Sequence, residues 1–432
     1  MYDKSLVTEE RLAELKIKRD AMRQEGFNKA KEIIGDRGAE ALKYLFDMFD
    51  ERIYLWLADL WEPEIGAFYF SNSGRDTEGY LPDIESTVQA LRYIDGAGLT
   101  SYRYENIEQK VKKPVVRFAR SLQDPDGYFY HPQWGKDITV SRRGRDLGWA
   151  RSIIKDYGGE TVYPTPLDKK DDGEKSDLLP EHLQTIDNFK KYLSGLELTT
   201  SSYWVGNLIQ AQISQIIAAG DEFVDALDEW YVTNQNPKNG TWNEELNYHA
   251  TNGLMKVCLA YGAISRPIPN AELAMDAAIA VTCSDLADPQ ITSFYNPWIT
   301  MGIIINNLKK FGNPELAEKQ RQKVLDNAAL MILRTADKIK PFKREDGSYS
   351  YGPKGSCPNS QSAPVSHALI PEGDVNGNAL ATTGVTRSIC SVLGLPDIKF
   401  FTEDDGELFY ELIDKSYPSK KIYPRPADVK LL

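Results

Sequence analysis

Four times along this chain a helix-forming stretch ends at a glycine with an aromatic residue close behind it, and a second helix-forming stretch follows. The copies are Ile65-Gly66-Ala67-Phe68-Tyr69, Asp126-Gly127-Tyr128-Phe129, Asn239-Gly240-Thr241-Trp242 and Asp346-Gly347-Ser348-Tyr349. Their glycines stand 61, 113 and 107 residues apart. That is one unit and then two double units of roughly 55 residues, a fixed period of the kind that marks a repeat architecture. A glycine takes a positive-φ turn without steric cost, and the aromatic behind it wedges between neighbouring helices. A ring of such hairpins gathers one helix end from each unit around a central pocket.

Apolar residues at 3.6-residue spacing, with turn residues between segments, predict helix pairs. The first members run near 37–59, 104–123, 182–197, 221–234, 270–284 and 314–338. The second members run near 82–97, 142–156, 202–219, 244–262, 294–311 and 374–393. Several second members open on polar groups and continue apolar on most faces, as in Ser202-Tyr203-Trp204-Val205-Gly206-Asn207 followed by Leu208-Ile209-Gln210-Ala211. A helix that is apolar nearly all round belongs inside. The first members carry more Lys, Glu and Asp and belong outside. Six outer and six inner helices predict an all-α (α/α)6 toroid. Residues 1–36 are expected to form an N-terminal helix packed on the barrel, 37–400 a single toroid domain, and 401–432 a C-terminal helix and tail. Two long segments, 129–180 and 347–373, interrupt the pattern on the pocket side, and loops of that length are lids or disordered. Strand signals allow at most short hairpins.

The net charge of −12 argues against a nucleic-acid partner. No apolar run approaches ~18 residues, so no membrane span is expected. The start Met1-Tyr2-Asp3-Lys4 lacks a basic and then apolar leader. Cys258, Cys283, Cys357 and Cys390 show no metal-ligand spacing and read as buried free thiols. The expectation is a cytoplasmic protein that uses no metal and no cofactor and takes a small-molecule or oligosaccharide substrate.

The turns at Asp126-Gly127-Tyr128-Phe129 and Asp346-Gly347-Ser348-Tyr349 resemble the Asp-Gly-aromatic repeats of the terpenoid-cyclase and protein-prenyltransferase toroids. Pro82-Asp83-Ile84-Glu85-Ser86-Thr87-Val88-Gln89-Ala90-Leu91 is similar to the Asp-x-Asp-Asp-Thr-Ala segment with which class II cyclases protonate an alkene. The resemblance covers most of residues 40–395 and implies an α/α toroid, with Glu85 as the proton donor of a cyclase-like enzyme. The chain departs from that pattern at Glu85 and Ser86, where the motif has Asp. It lacks an Asp-Asp-x-x-Asp metal box. An Asp-Cys-His zinc set cannot be placed, since Asp285 lies near Cys283 but His367 is the one later histidine. The same toroid carries glycoside hydrolases and polysaccharide lyases.

If the inner helices begin at the pocket, their first turns and the preceding loops line it. That selects Arg75, Asp76, Asp83 and Glu85, then His131, Trp134 and Arg142, then Tyr203, Trp204 and Asn207. Further on it selects Glu244, Glu245, Asn247, Tyr248, His249 and Asn252, then Tyr295, Asn296 and Trp298, and last His367, Glu372, Asp374, Asn376 and Asn378. A polar lining with flat aromatics suits sugar hydroxyls and C–H faces, whereas a carbocation is quenched by nearby nucleophiles. The expected enzyme therefore cleaves a glycan. In one route Tyr248 or His249 is the base that removes a proton α to a uronate carboxylate, and Asn247 or Asn252 neutralises the charge. In the other, a carboxylate pair such as Glu85 and Asp374 hydrolyses a glycosidic bond across ~5–9 Å. Each group also has a structural reading. Asp83 and Asp374 suit N-caps, Tyr248 and His249 suit a helix start, Arg75 and Asp76 suit an internal pair, and Arg142, Arg143 and Arg145 suit either a carboxylate-binding patch or a solvated face. A cyclase-like enzyme and a non-catalytic glycan- or partner-binding toroid are the alternatives.

Overall fold

The computed structural model describes residues 1–100, 109–169, 175–367 and 371–419. In chain order its helices are α1 (Glu9–Phe46), α2 (Arg52–Asp59), α3 (Asn72–Asp76), α4 (Ile84–Ala97), α5 (Gln109–Ser121), α6 (Val140–Asp156), α7 (Ile186–Ser194) and α8 (Ser202–Ala219). They continue with α9 (Asp221–Asn234), α10 (Tyr248–Ile264), α11 (Ala271–Cys283), α12 (Thr292–Lys310), α13 (Pro314–Ile339), α14 (Val375–Ala379), α15 (Val385–Leu393) and α16 (Glu403–Asp414). Among the described residues, sheet is confined to two two-stranded hairpins, Trp61–Glu62 with Ala67–Phe68 and Asn359–Ser360 with Ala363–Pro364.

The inner layer is a closed ring. α4 packs on α6, α6 on α8, α8 on α10, α10 on α12, and α12 on α15, while α14 returns to α4. Composition explains why these helices are inside. α8 carries no Asp, Glu, Lys or Arg, and α10 carries one, Lys256. The outer layer is formed by the end of α1 with α2, and by α5, α7, α9, α11 and α13, with α1 closing against α13. The protein is an all-α toroid. The first part of the outer segment near 104–123 lies outside the described residues at 104–108, as do 170–174 within the segment 129–180. Within that segment α6 forms the inner helix expected near 142–156, and the other described residues carry turns and irregular backbone.

α1 is longer than its expected end at residue 36, but it breaks direction at Gly35, whose φ of 69° lies outside the helical region. Its first part is anchored by Arg19, which bonds Asp405 at 2.5 Å and Glu51 at 2.5 Å, and by Arg23, which donates to the carbonyl of Phe400 at 2.7 Å.

All four motif glycines adopt positive φ: 81° at Gly66, 84° at Gly127, 69° at Gly240 and 86° at Gly347. The aromatics behind them, Phe68, Phe129, Trp242 and Tyr349, are buried, and the Trp242 indole donates to the Tyr231 carbonyl at 2.9 Å. At Gly240 an added Cβ would stand 2.5 Å from the amide nitrogen of Ala274. Gly240→Ala therefore combines a left-handed penalty with a backbone clash and is expected to destabilise the fold by about 2–3 kcal/mol. Gly262→Ala, in a helix with open space around the new methyl, is expected to stabilise it by about 0.5–1 kcal/mol. Denaturant titration of both variants checks the contrast. Equal midpoints would contradict it.

Candidate functional site

Capping sets where the inner helices begin. Asp83 accepts from the amides of Glu85 and Ser86, Thr139 from Arg142, Asn247 from Ala250, and Asp374 from Gly377. These side chains satisfy amides that the helix itself leaves unpaired. Asp374 is also bonded by the Tyr351 amide at 2.7 Å, and burial pushes its carboxyl up to about 7. Asp83, Asn247 and Asp374 thus cap helices, and none of them lines the cavity.

The ring encloses a cavity of about 800 Å³, within the usual range of small-molecule sites. It is lined along single helix faces at intervals of three and four residues. α4 supplies Glu85, Gln89 and Arg92; α6 supplies Arg145 and Trp149; α8 supplies Tyr203, Asn207 and Gln210. α10 contributes Met255, Lys256 and Leu259, and α12 contributes Tyr295, Asn296 and Ile299. The last wall is Asn376, Leu380, Thr383 and Arg387. Here Leu380–Gly384 forms a π-helical turn joining α14 to α15, a distortion that re-aims side chains and recurs at functional sites.

A hairpin closes one side. Cys357, Asn359, Ser360 and Gln361 line the cavity, and the turn residues Gln361 and Ser362 have φ of 50° and 69°. Two successive positive-φ residues are the type I′ geometry that Asn-Gly normally fills. The tip is held by side chains: Gln361 Oε1 accepts from Asn207 at 2.7 Å and from Ser141 at 3.0 Å, and the Ser360 hydroxyl donates to Glu85 at 2.7 Å.

Behind Glu85 sits a buried charge cluster. The Arg142 guanidinium is fully buried and donates to Asp83 at 2.6 Å, Glu85 at 3.3 Å and both oxygens of Asp146 at 3.0 Å. Arg145 donates to the other Glu85 oxygen at 2.6 Å. Glu85 therefore accepts charge-assisted hydrogen bonds from two arginines and one from a hydroxyl. Trp134 stacks on Arg142 at 4.9 Å and on the His131 ring at 4.1 Å.

His131 supports this cluster from outside the cavity, with Nε2 2.8 Å from the Pro82 carbonyl oxygen. Burial lowers its pKa from 6.5 to about 4, against a smaller upward pull from Asp83. The native state thus binds fewer protons than the unfolded chain between those values, so stability is retained above 6.5 and falls as pH drops toward 4. The loss is expected to reach about 3 kcal/mol, and His131→Gln should flatten that part of the stability–pH curve in denaturant titrations. An unchanged slope would contradict it.

Of the sequence-selected residues, Glu85, Asn207 and Asn376 line the cavity, as do Tyr203, Tyr295 and Asn296. The others are placed elsewhere. The Tyr248 hydroxyl is bonded by Lys338 of the outer helix α13 at 2.6 Å, and His249 is exposed with its ring against the edge of Tyr203. Asn252 is buried behind the wall, donating to Ser293 and accepting from Asn296. Arg75 pairs with Asp59 and Asp76. Trp204 points outward at 63% exposure, whereas Trp298 is buried and donates to Thr335. His367 is exposed, and its amide donates to Ser73. Asn378 is buried without reaching the cavity. The first turns do not include Arg92, Trp149, Lys256 and Arg387, whereas Arg145 belongs to the candidate patch of Arg142, Arg143 and Arg145. Lys256 had a legible signal, being the sole Asp, Glu, Lys or Arg on an otherwise uncharged inner helix.

All four cysteines are free. Among the described residues no three His, Cys, Asp or Glu are grouped to hold a metal, and no helix is long and apolar enough to cross a membrane.

The fold and site together define an α/α toroid with a polar, cation-bearing central cavity. No family profile matches the chain, and no curated protein does. Among solved structures it is similar to a type II terpene cyclase from Scytonema in complex with geranylgeranyl dihydroxybenzoate, at 14% identity and a TM-score of 0.40, over 82% of this chain and 99% of that one. A likeness at this level carries no argument about chemistry.

Proposed function

We propose that the protein is an enzyme that cleaves an acidic glycan in the central cavity, by β-elimination at a uronate. One observation carries this reading: unpaired acceptors and cations share the same cavity. The Oδ1 atoms of Asn296 and Asn376 are buried without a hydrogen-bond partner, although both residues line the cavity. An unmet buried acceptor calls for a donor such as a sugar hydroxyl. Arg145 and Lys256 line the same cavity, against one carboxylate among the described lining residues, Glu85. That surplus suits a ligand carboxylate, and Trp149, Tyr203 and Tyr295 offer ring faces for its C–H surfaces.

Elimination is favoured over hydrolysis by the carboxylates. Hydrolysis needs two of them flanking the bond, one protonated. Glu85 is held by arginines and Asp374 is withdrawn to a helix cap. Elimination instead needs a cation to hold the uronate carboxylate as charge develops and a nearby base.

A terpenoid-cyclase-like reading rests on the apolar residues of the lining, Ile213, Met255, Leu259, Ile299 and Leu380. The test is incubation of the purified protein with a panel of uronate polysaccharides and oligosaccharides, and separately with prenyl diphosphates. Rising ultraviolet absorbance from an unsaturated uronate product is the expected result. Cyclised prenyl product with no glycan turnover would replace this reading with the cyclase one.

A further inference from the structure

We propose that Lys256 is the base of this cavity, acting as a neutral amine that takes the proton α to the substrate carboxylate. The substrate class rests on the acidic-glycan reading. The assignment of the amine rests on the cavity itself.

The four lining cations differ in what holds them. Arg145 is paired with Glu85 and lies 4.4 Å from the Trp149 ring centroid. Arg92 lies 5.6 Å from the same centroid, and Arg387 reaches Asp95 at 3.2 Å. Lys256 makes no hydrogen bond or ion pair with any described residue, and its Nζ lies 5.9 Å from the centroid of the Tyr203 ring. The Tyr203 ring from α8 faces it, Arg145 from α6 and Glu85 from α4 act on its charge, and Tyr295 from α12 and Tyr351 ahead of the hairpin line the same cavity. α11, packed on the outer side of α10, contributes nothing to the lining.

The neighbouring helix comes close at this position: an added Cβ at Gly206 of α8 would stand 2.8 Å from the Lys256 Cβ. Glycine inside a helix costs about 0.5–1 kcal/mol relative to alanine, and its presence here is explained by the close approach of α8 to α10 beside Lys256. An ammonium drawn into a cavity wall with no ion pair of its own is disfavoured, and neutralising it is the cheaper state. Burial first, and the like charge of Arg145 second, lower the Lys256 pKa to about 7, against the opposing pull of Glu85.

In the elimination, the C5–H proton passes to Nζ and the C–H electrons become the C4=C5 double bond. The C4–O bond breaks with its electron pair on oxygen, which takes a proton back from the Lys256 ammonium. Lys256 ends as the amine it began as, and the products are an unsaturated uronate and a free hydroxyl. A base with a pKa near the working pH is well matched to this step.

The first test needs no substrate. The full chain is pulse-labelled with fluorodinitrobenzene across a pH series, and each lysine is followed by peptide mass spectrometry. Lys256 is expected to reach half-maximal reactivity near pH 7, as its lowered pKa implies, and surface lysines near 10. A Lys256 midpoint near 10, or no labelling while surface lysines react, overturns the proposal. The second test is kinetic. Lys256→Met and Lys256→Arg, each checked for an unchanged circular-dichroism melt, are expected to lose ~10³-fold in kcat with KM within threefold. The wild-type kcat/KM should rise with pH through about 7. If labelling is as expected but no uronate is cleaved, the glycan reading fails and the neutral amine stands. If uronate is cleaved and either variant keeps kcat within tenfold, the base assignment fails and the glycan reading stands.

Discussion

Arg142→Met is expected to destabilise the protein by about 3–5 kcal/mol. Removing one partner of a buried ion cluster leaves uncompensated charge in a low-dielectric site. Here the variant would strand Asp83, Asp146 and half of Glu85, all nearly fully buried, together with the Ser360 carbonyl that Arg142 also bonds. The Trp134 ring would lose its cationic face as well. Denaturant titration measures the loss. A change below about 1 kcal/mol would mean that the three carboxylates are not held as charges. Arg142→Lys is expected to recover little, because one ammonium cannot replace donors aimed at three carboxylates.

The second large effect is on activity. Arg145→Gln is expected to lower kcat/KM on a uronate substrate by ~10²–10³-fold, the size seen when a donor to developing negative charge is removed. The fold should survive, since Arg142 and Ser360 still hold Glu85. Initial rates of unsaturated-product formation measure it. A loss of less than threefold would show that Arg145 serves only Glu85.

The architecture could be read from the chain because its determinants are local. The positive-φ glycines and the buried aromatics behind them are adjacent residues, and uncharged helices such as α8 announce their own burial. The site was less legible. Choosing first-turn residues found Glu85 and Asn207, but first turns are also where caps sit, and Asp83, Asn247 and Asp374 proved to be caps. Which face of a helix start looks inward depends on the rotation of that helix in the ring, which a single sequence does not state. Tyr248 and Trp204 were lost for that reason. Arg92, Lys256 and Arg387 lie further along their helices and were passed over by a rule that stopped at the opening turn.

Closure of the inner ring has a consequence for how the protein is made. The wall between α4 and α12 is supplied by α14 and α15, from near the other end of the chain. Until those residues emerge in synthesis, five helices stand as an open arc with the flanks of α4 and α12 facing water, and Asn376 and Arg387 are absent from the pocket. Contacts of such long sequence separation form late and slow the folding of a chain. The cavity is therefore assembled last, and a nascent or truncated chain ending before residue 375 would have most of the helices but no enclosed site.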